Sequence, residues 1–465
     1  MVAKRLQNAV WGLGLGVCVG LGGACDAPHD LDPEPIEAPE DPLAGGKGDD
    51  LNSSTVTDPG ALRWSAIAQV RGEPVGAPLF VSNNPEHVEG FGILAGVPYP
   101  GLSLRGAQRA PDAPEAQWSR QIVDERCPDG GAQEFGVYLA HILPADLGSG
   151  RRITLGLVAE DDATITVRGK MGTTDWSSGG QLLTTETTWL GAQLARSFFF
   201  DHDAPERTFE AEAGKFVEVD VQMAASLVEG RYHVESDTCL YPFTIAHGRG
   251  LGGHLPRHYA KGDVKWPGWY EGSGYGRAAG VYEADHFSGE QAVIVDEVPS
   301  VQGVGLLTPD DSFPALARHE DSAELLFGNY GVLYDHTLNL VNDTEACIEA
   351  NVELVSYIDR NATPGRTPTV GFFEDTADAY TPSMFWNGPV RVGTARGQQL
   401  HHPVLHYAPT EAERAERNRA VASMRHSLLK VELAAGQVFD VEVELPVPGY
   451  IVAPIALTVH AQPCG

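Results

Sequence analysis

The fold is decided by a stretch that occurs twice, Asn329-Tyr330-Gly331-Val332-Leu333-Tyr334-Asp335-His336-Thr337-Leu338. The earlier copy reads Glu134-Phe135-Gly136-Val137-Tyr138-Leu139-Ala140-His141-Ile142-Leu143. The two copies begin at positions 134 and 329, and an aromatic residue, a glycine, a valine and a histidine recur in them at the resulting constant offset of 195 residues. Both copies are short and rich in β-branched and aromatic residues, so each predicts a β-strand.

Two further pairs of segments echo each other in the same order. Val88–Leu94 is answered by Val301–Leu307, and Ala213–Val221 is answered by Ala435–Val443. A repeat of roughly two hundred residues is a whole domain, since solenoid units have periods of about 20–50 residues. The sequence therefore predicts an all-β protein with two tandem related β-sandwich domains, residues 61–243 and 244–465.

The composition is strongly acidic. There are 63 Asp and Glu against 32 Lys and Arg, which gives a net charge of −31. Such a surface repels phosphate backbones, and the chain has no basic stripe. The charge therefore predicts no nucleic-acid partner, and simple solubility outside the cytoplasm is favoured as its explanation over a specific cation-binding role.

The first 25 residues predict export. Lys4 and Arg5 precede an apolar run from Val10 to Leu21 that is too short for a stable membrane anchor. Small residues then precede Cys25, as in a bacterial lipoprotein signal, so we expect acylation of Cys25 and attachment to the outer membrane or cell surface. Simple cleavage near Ala24, giving a secreted or periplasmic protein, stays open. Residues 26–60 are acidic and Pro-rich and predict a disordered spacer.

Four cysteines remain outside the signal, two in each repeat. In an exported chain, paired cysteines favour disulfides. Three pairings are possible, and the repeat favours Cys127–Cys239 and Cys347–Cys464. Metal ligation is the weaker alternative, because the chain has no C-x-x-C spacing.

One short inserted helix is predicted in the second domain. Thr410-Glu411-Ala412-Glu413 fits a capping box, in which the Thr and Glu413 side chains satisfy free N–H groups of the first turn. The helix would run to about Met424.

Histidines supply the first candidate chemistry. His141 and His336 recur in the repeat, and a structural role on a strand is the favoured interpretation. Asp335 cannot assist His336 through adjacency, since consecutive strand side chains point to opposite faces. Zinc binding is the minor alternative for two other groups: His254 with His258, and His401 with His402 and His406.

Acidic clusters raise the possibility of calcium, the one cofactor considered. They lie at Glu160-Asp161-Asp162, Asp201-His202-Asp203 and Pro309-Asp310-Asp311. Carboxylate oxygens are calcium ligands, but none of these clusters follows the EF-hand pattern and turn chemistry explains them equally well. No catalytic motif of the G-x-S-x-G or H-E-x-x-H type occurs, and no catalytic residue is assigned.

Trp266, Trp269 and Tyr270 form the best candidate ligand surface. Flat rings on a loop stack on sugar faces or anchor a partner protein. The competing interpretation, that these rings fill the joint between the two domains, is favoured.

The assembled segments resemble the domain-of-unknown-function 3370 family, which is mostly cyanobacterial. The resemblance rests on Val81-Ser82-Asn83-Asn84-Pro85-Glu86, Gly276-Arg277-Ala278-Ala279-Gly280-Val281 and, most closely, Gly328-Asn329-Tyr330-Gly331-Val332-Leu333-Tyr334-Asp335. It spans about residues 75–445 and implies an exported β-rich protein. The family has no assigned reaction, so the resemblance implies no activity.

The sequence thus favours a lipid-anchored envelope protein with a binding or structural role, its partner being a polysaccharide or another envelope protein. Two rival classes stay open: a secreted hydrolase acting on glycans and a calcium-dependent adhesion module.

Overall fold

The computed structural model describes a large part of the body of the chain. Described residues are 55–57, 68–69, 72–97, 133–174, 185–262, 278–296, 302–306, 313–319, 322–323, 325–326, 329–357, 384–407, 423–447 and 455–465. They are mostly strand, in several sheets with a sandwich-like arrangement, which confirms the predicted all-β class.

Twenty-six strands and one α-helix make up the described fold. The strands are β1 Thr55–Thr57, β2 Ala68–Gln69, β3 Gly72–Val75, β4 Leu79–Ser82, β5 Gly92–Gly96, β6 Gln133–Ile142, β7 Arg152–Ala159, β8 Ala163–Thr174, β9 Glu206–Ala211, β10 Phe216–Met223, β11 Leu227–Ser236, β12 Leu240–His247, β13 Ala279–Tyr282, β14 His286–Val295, β15 Gln302–Leu306, β16 Phe313–Arg318, β17 Leu325–Leu326, β18 Leu333–Asn342, β19 Ile348–Tyr357, β20 Met384–Asn387, β21 Val390–Thr394, β22 Gly397–His401, β23 Val404–Tyr407, β24 Ser423–Leu433, β25 Val438–Pro446 and β26 Ile455–Pro463. Helix α1 is Thr185–Phe199, and a 3-10 turn covers Ala145–Leu147.

The strands form four larger sheets and one hairpin-like pair. The eight-stranded sheet has the order β17-β16-β13-β4-β6-β11-β8-β9, and the four-stranded sheet has the order β10-β7-β12-β5. Two six-stranded sheets follow, β1-β24-β19-β26-β15-β2 and β22-β21-β25-β18-β14-β3, and β20 pairs with β23.

One core lies between the eight-stranded and the four-stranded sheets. Strands β7 and β12 are apolar almost throughout and buried on both faces, whereas β8 alternates buried and more exposed residues. The shared cluster includes Phe80, Leu155, Tyr232, Phe243 and Ile245, each at most 1% exposed. Burial of a large apolar side chain contributes about 1.5–3 kcal/mol, so this cluster contributes strongly to the stability of the fold.

The sheets combine segments from both sides of the predicted boundary at residue 243. Strand β4 pairs with β13 and with β6, so the eight-stranded sheet takes three strands from beyond that boundary. Strands β1, β2 and β3 pair with β24, β15 and β14. The two predicted domains therefore exchange strands, and a boundary at one point in the sequence stays a prediction.

The two copies of the repeated stretch fold differently at their beginnings. In the first copy, residues 134–142 lie within strand β6 and Leu143 follows directly after it. In the second copy Asn329 (φ 44°) and Gly331 (φ 94°) form a turn, and strand β18 begins only at Leu333. The predicted strand of the second copy is therefore confirmed from Leu333 onward, and the residues before it form a turn, because the positive φ angles turn the chain so that Gly331 lies against Tyr138 of β6.

Replacing Gly331 with alanine should destabilise the protein. The left-handed backbone disfavours a side chain, and a Cβ there would lie 2.6 Å from the Cβ of Tyr138. We expect a loss of about 1–3 kcal/mol in the free energy of unfolding, measured by urea denaturation. Gly214→Ala is the matched control, since its φ is also positive (68°) but nothing lies within 4 Å of the added Cβ. Equal losses in the two variants would contradict the role of the Tyr138 contact.

The helix of the structure is not the predicted one. Residues 408–422, where the helix after Thr410 was predicted, lie outside the described residues, and Met424 belongs to strand β24. Helix α1 lies instead on strands β8 and β11. Its side chains Leu190, Leu194 and Phe198 are four residues apart and so share one face, which covers Gly172 of β8. No helix in the described part of the chain is long and apolar enough to cross a membrane.

Cys347 and Cys464 are joined by a disulfide that closes a separation of 117 residues. Their strands are already paired, because Ile348 of β19 lies opposite Pro463 of β26. Cys239 is also disulfide-bonded, and its partner lies outside the described residues. The predicted partner, Cys127, lies outside the described residues, so the Cys127–Cys239 pairing stays a prediction.

Candidate functional site

Several predicted site residues fall outside the described part of the chain. These are the acylation residue Cys25, the aromatic residues Trp266, Trp269 and Tyr270, and the acidic cluster Pro309–Asp311. Lipid attachment and the aromatic ligand surface therefore stay predictions.

The two repeated histidines are both buried in strands. The imidazole of His141 bonds through Nε2 to the Ser82 hydroxyl at 2.7 Å and through Nδ1 to the carbonyl oxygen of Pro85 at 2.7 Å. His336 packs against the rings of Phe287 and Tyr334, while its neighbour Asp335 is exposed. Burial lowers the pKa of His336 to about 4, with an opposing hydrogen bond to the backbone of Gly289, so His336 is neutral near pH 7. These surroundings fit structural roles.

The other predicted histidine groups are dispersed. His254 and His258 are exposed in the loop after β12. His402 bonds to Arg196 at 3.1 Å, whereas His401 stacks edge-on against His426. His254, His258, His401 and His402 belong to no metal-ligating cluster of the described residues, and the side chain of His406 lies outside the described part of the chain.

The two described acidic clusters use their carboxylates for local structure. Asp162 accepts a hydrogen bond from the backbone N–H of Ala213 at 2.8 Å. Asp201 pairs with Arg196 at 2.8 Å, and Asp203 accepts from the Ser197 hydroxyl. Turn and ion-pair chemistry therefore accounts for these two clusters.

The candidate site that the structure itself reveals is a buried charged group beneath helix α1. Strand β11 places Glu229 and Arg231 two residues apart, so both side chains lie on the face of the eight-stranded sheet that α1 covers. Tyr138 lies directly opposite Arg231 on β6. All three residues are at most 3% exposed. We call Tyr138, Glu229 and Arg231 the buried charged group.

Arg231 is held by contacts other than Glu229. Its guanidinium donates to the carbonyl oxygen of Val447 and lies 5.2 Å from the ring centre of Tyr138. It also lies 5.5 Å from the ring centre of Phe199 at the end of α1. Burial lowers the pKa of Arg231, and the neighbouring Tyr138 and Glu229 oppose this effect. The cation is thus shared between two aromatic rings and one backbone carbonyl.

Glu229 is the unusual member. It is 1% exposed, and neither carboxylate oxygen has a hydrogen-bond partner among the described residues. Its cross-strand neighbours, Ala140 and Gly172, have no polar side-chain atoms to offer. Burial raises the pKa of this carboxyl to about 7, and the charge of Arg231 limits the rise. The carboxyl is therefore partly protonated near pH 7.

Three consecutive phenylalanines, Phe198, Phe199 and Phe200, hold the end of helix α1 over the buried charged group. Arginine guanidinium groups lie over each ring: Arg168 is 4.2 Å from Phe198, Arg231 is 5.5 Å from Phe199, and Arg391 is 4.8 Å from Phe200. Each such contact stabilises by about 0.5–2 kcal/mol. The three arginines come from different strands, so the end of α1 is held on several sides.

The buried charged group has the pKa of a catalytic acid but lacks access for a substrate. A carboxyl that titrates near pH 7 suits general acid–base work. Yet Glu229 is sealed beneath α1, so a substrate does not reach it in this conformation. The arrangement is that of a buried ionisable pair, which is costly to the fold.

The ionisation of Glu229 gives a pH prediction. The folded pKa of about 7 lies above the ordinary value of 4.5, so its stabilising contribution is complete below pH 4.5 and lost as the pH rises through 7. Glu229→Gln removes this term. The unfolding free energy of the variant relative to wild type should therefore increase by about 3 kcal/mol between pH 4.5 and 7, measured by urea denaturation.

Glu353→Gln provides the control with the opposite sign. Burial opposes ionisation of Glu353, but its hydrogen bond with His460 and the charges of His460 and Arg425 outweigh burial and lower its pKa. The relative stability of that variant should fall as the pH rises. A pH-independent difference for Glu229→Gln would refute the assignment of the titrating group.

Residues 274–461 match the family DUF3370, described as a protein of unknown function. The matched region contains the second copy of the repeated stretch, while Val81–Glu86 and the buried charged group lie before it. The match supports the resemblance to this family over the second half of the chain. No curated protein matches the sequence.

Two solved structures show low similarity. The tandem domain CBM22-1-CBM22-2 of Xyn10C from Paenibacillus barcinonensis is 9% identical, with a TM-score of 0.14, and the alignment covers 84% of this chain and 99% of that one. Fet3p, a multicopper oxidase that functions in iron import, is 10% identical, with a TM-score of 0.11 and coverage of 69% and 52%. At these TM-scores neither structure carries an argument about function.

Proposed function

We propose that the chain is an exported, lipid-anchored protein of the cell envelope that belongs to the DUF3370 family over its whole body. It has a binding or structural role in the envelope, and its partner is an envelope polysaccharide or another envelope protein.

The disulfides carry the export part of this proposal. The bond between Cys347 and Cys464 and the disulfide state of Cys239 suit an oxidising compartment, since cytosolic thiols are kept reduced. The acidic charge and the signal-like first 25 residues agree with that location.

The closed surroundings of Glu229 favour binding over hydrolysis. Glycoside hydrolysis needs two carboxyl groups that flank a substrate. Glu229, whose pKa burial raises to about 7, is covered by α1, and the neighbouring charge that acts on it is that of Arg231. A hydrolase that used Glu229 as its acid would require α1 to leave the sheet.

The anchor is tested by lipid labelling and fractionation. The full chain and its Cys25→Ala variant are expressed in the host with a radiolabelled fatty acid. We expect label and membrane association in the wild type and loss of both in the variant. A wild-type chain that stays unlabelled and soluble outside the cell would support the secreted alternative, and a cytoplasmic chain with reduced cysteines would refute export.

Partner class is tested with envelope polysaccharide from the same host. The purified oxidised protein is mixed with the polysaccharide, and co-sedimentation and the release of reducing ends are followed together, with and without a chelator. We expect sedimentation without release. Release would support the hydrolase, and loss of sedimentation on chelation would support the calcium-dependent module. No sedimentation would exclude the polysaccharide and leave a protein partner.

A further inference from the structure

A second cluster lies on the same face of the eight-stranded sheet, beyond the part that α1 covers. The Nε2 atom of His233 lies 3.2 Å from Oε1 of Glu134 and 3.1 Å from Oε1 of Glu235. All three ligand atoms lie within 4.8 Å of one another. Strand β11 supplies His233 and Glu235, and its neighbour β6 supplies Glu134. Both are central strands of the sheet, so the three side chains are held on a rigid base.

The register of β11 and β6 places two negatively charged side chains directly opposite each other in this cluster. Glu235 is directly opposite Glu134 in the antiparallel pair of β11 and β6. Like charges in direct cross-strand pairs are destabilising. A cation between the two carboxylates removes that repulsion, and the imidazole nitrogen of His233 points to the same place.

The neighbouring Arg168 makes its contacts with Phe198 rather than with the two glutamates. Arg168 of β8 lies opposite His233 in the strand register and feels the charge of Glu235. However, its Nη1 donates to the carbonyl oxygen of Phe198 at 2.9 Å, and its guanidinium lies over the Phe198 ring. Arg168 forms no ion pair within 4.0 Å with Glu134 or Glu235 among the contacts described for these residues.

The spacing of the three atoms suits a small divalent ion. Zinc binds histidine nitrogen and carboxylate oxygen at about 2.0–2.2 Å, so neighbouring ligand atoms in a tetrahedral site lie about 3.3–3.6 Å apart. The separations of 3.1 and 3.2 Å are hydrogen-bond and ion-pair distances, a few tenths of an ångström shorter than this range, and the exposed glutamate side chains have room to widen them. Both glutamate side chains are 61% exposed, so an ion reaches them and water completes its coordination. An imidazole ligand suits zinc, whereas calcium takes oxygen ligands.

We propose that Glu134, His233 and Glu235 form a binding site for a divalent transition-metal ion of the zinc type. The site is independent of the proposed envelope role and of the buried charged group.

The test uses the purified full-length oxidised protein after removal of metals with a chelator. Zinc affinity is measured by competition with a coloured chelator, and the melting temperature is recorded with and without zinc. We expect a zinc-dependent rise in melting temperature, because an ion that binds the folded state stabilises it. His233→Ala should weaken this zinc binding by more than about 100-fold, since even loss of a partner outside the ligand shell costs about 10–100-fold. His254→Ala, an exposed histidine in a loop, should bind zinc as the wild type does.

Glu134→Gln separates the metal site from a purely structural cluster. Without zinc, this variant should melt at the wild-type temperature or above, because the like-charge pair is gone. With zinc, it should gain less than the wild type. Equal zinc affinity and equal thermal gain in wild type and His233→Ala would overturn the proposal, and so would an equal response to calcium.

Discussion

Replacing Arg231 with methionine is expected to lower the free energy of unfolding by about 3–5 kcal/mol, as measured by urea denaturation at pH 7. The variant leaves Glu229 buried without the cation that favours its ionised form. It also removes the hydrogen bond to the carbonyl oxygen of Val447 and the contacts with the rings of Tyr138 and Phe199. Methionine has a similar length, so little volume is lost.

Lys170→Met is the matched control for this variant. Lys170 lies directly opposite Arg231 on β8, but its side chain is 39% exposed and its ion pair with Asp203 is 3.9 Å long. Its loss should cost no more than about 1 kcal/mol. The double variant Glu229→Met with Arg231→Met should recover much of the Arg231→Met loss, since apolar pairs often replace buried ion pairs at no cost. Equal losses for Arg231→Met and Lys170→Met would contradict the buried charged group.

Cys464→Ser is expected to cost about 2–5 kcal/mol under oxidising conditions, by the same measurement. The disulfide closes a separation of 117 residues, so its removal frees a long loop in the unfolded chain. In the folded state Cys464 stays in place, because its backbone N–H bonds to the carbonyl oxygen of Cys347 at 3.0 Å and β19 pairs with β26 beside it. The effect therefore lies mainly in the unfolded state.

The double variant Cys347→Ser with Cys464→Ser should match the single variant, since either change opens the same loop. A larger loss in the single variant would indicate that the free Cys347 thiol exchanges with the disulfide of Cys239. An unchanged urea midpoint in both would show that the bond contributes nothing measurable.

The sequence predicted the class of the fold because strand patterns are local. Alternation in β8 and continuous apolar runs in β7 and β12 are visible in the residues themselves. Exchange of strands between the halves is not local: nothing in Leu79–Ser82 indicates that its partner is Ala279–Tyr282. Helix α1 was missed because Thr185–Phe199 begins with several threonines, which favour strands and turns.

The buried charged group was missed for a similar reason. Along β11, apolar Val228, Tyr232 and Val234 alternate with Glu229 and Arg231, which is the usual pattern of a strand with one solvent face. The pattern gives the face on which a side chain lies but not what covers that face. Here α1 covers Glu229 and Arg231 and leaves the cluster beyond them open. Strand β11, with one alternating pattern along its length, therefore contributes both to the buried charged group and to the exposed cluster of Glu134, His233 and Glu235.

The strand exchange also determines when this protein is able to fold. Strands β1, β2 and β3 pair with β24, β15 and β14, and β15 in turn depends on β26, the last strand. A ribosome or translocase delivers the chain from its N-terminus, so the earliest strands wait for partners that emerge long after them, and β1 waits for β24 near the end of the chain. Such high contact order makes folding slow and leaves strand edges open to aggregation in the meantime. A chaperone that shields residues 55–75 until synthesis ends would raise the yield more than one that acts on the C-terminal strands.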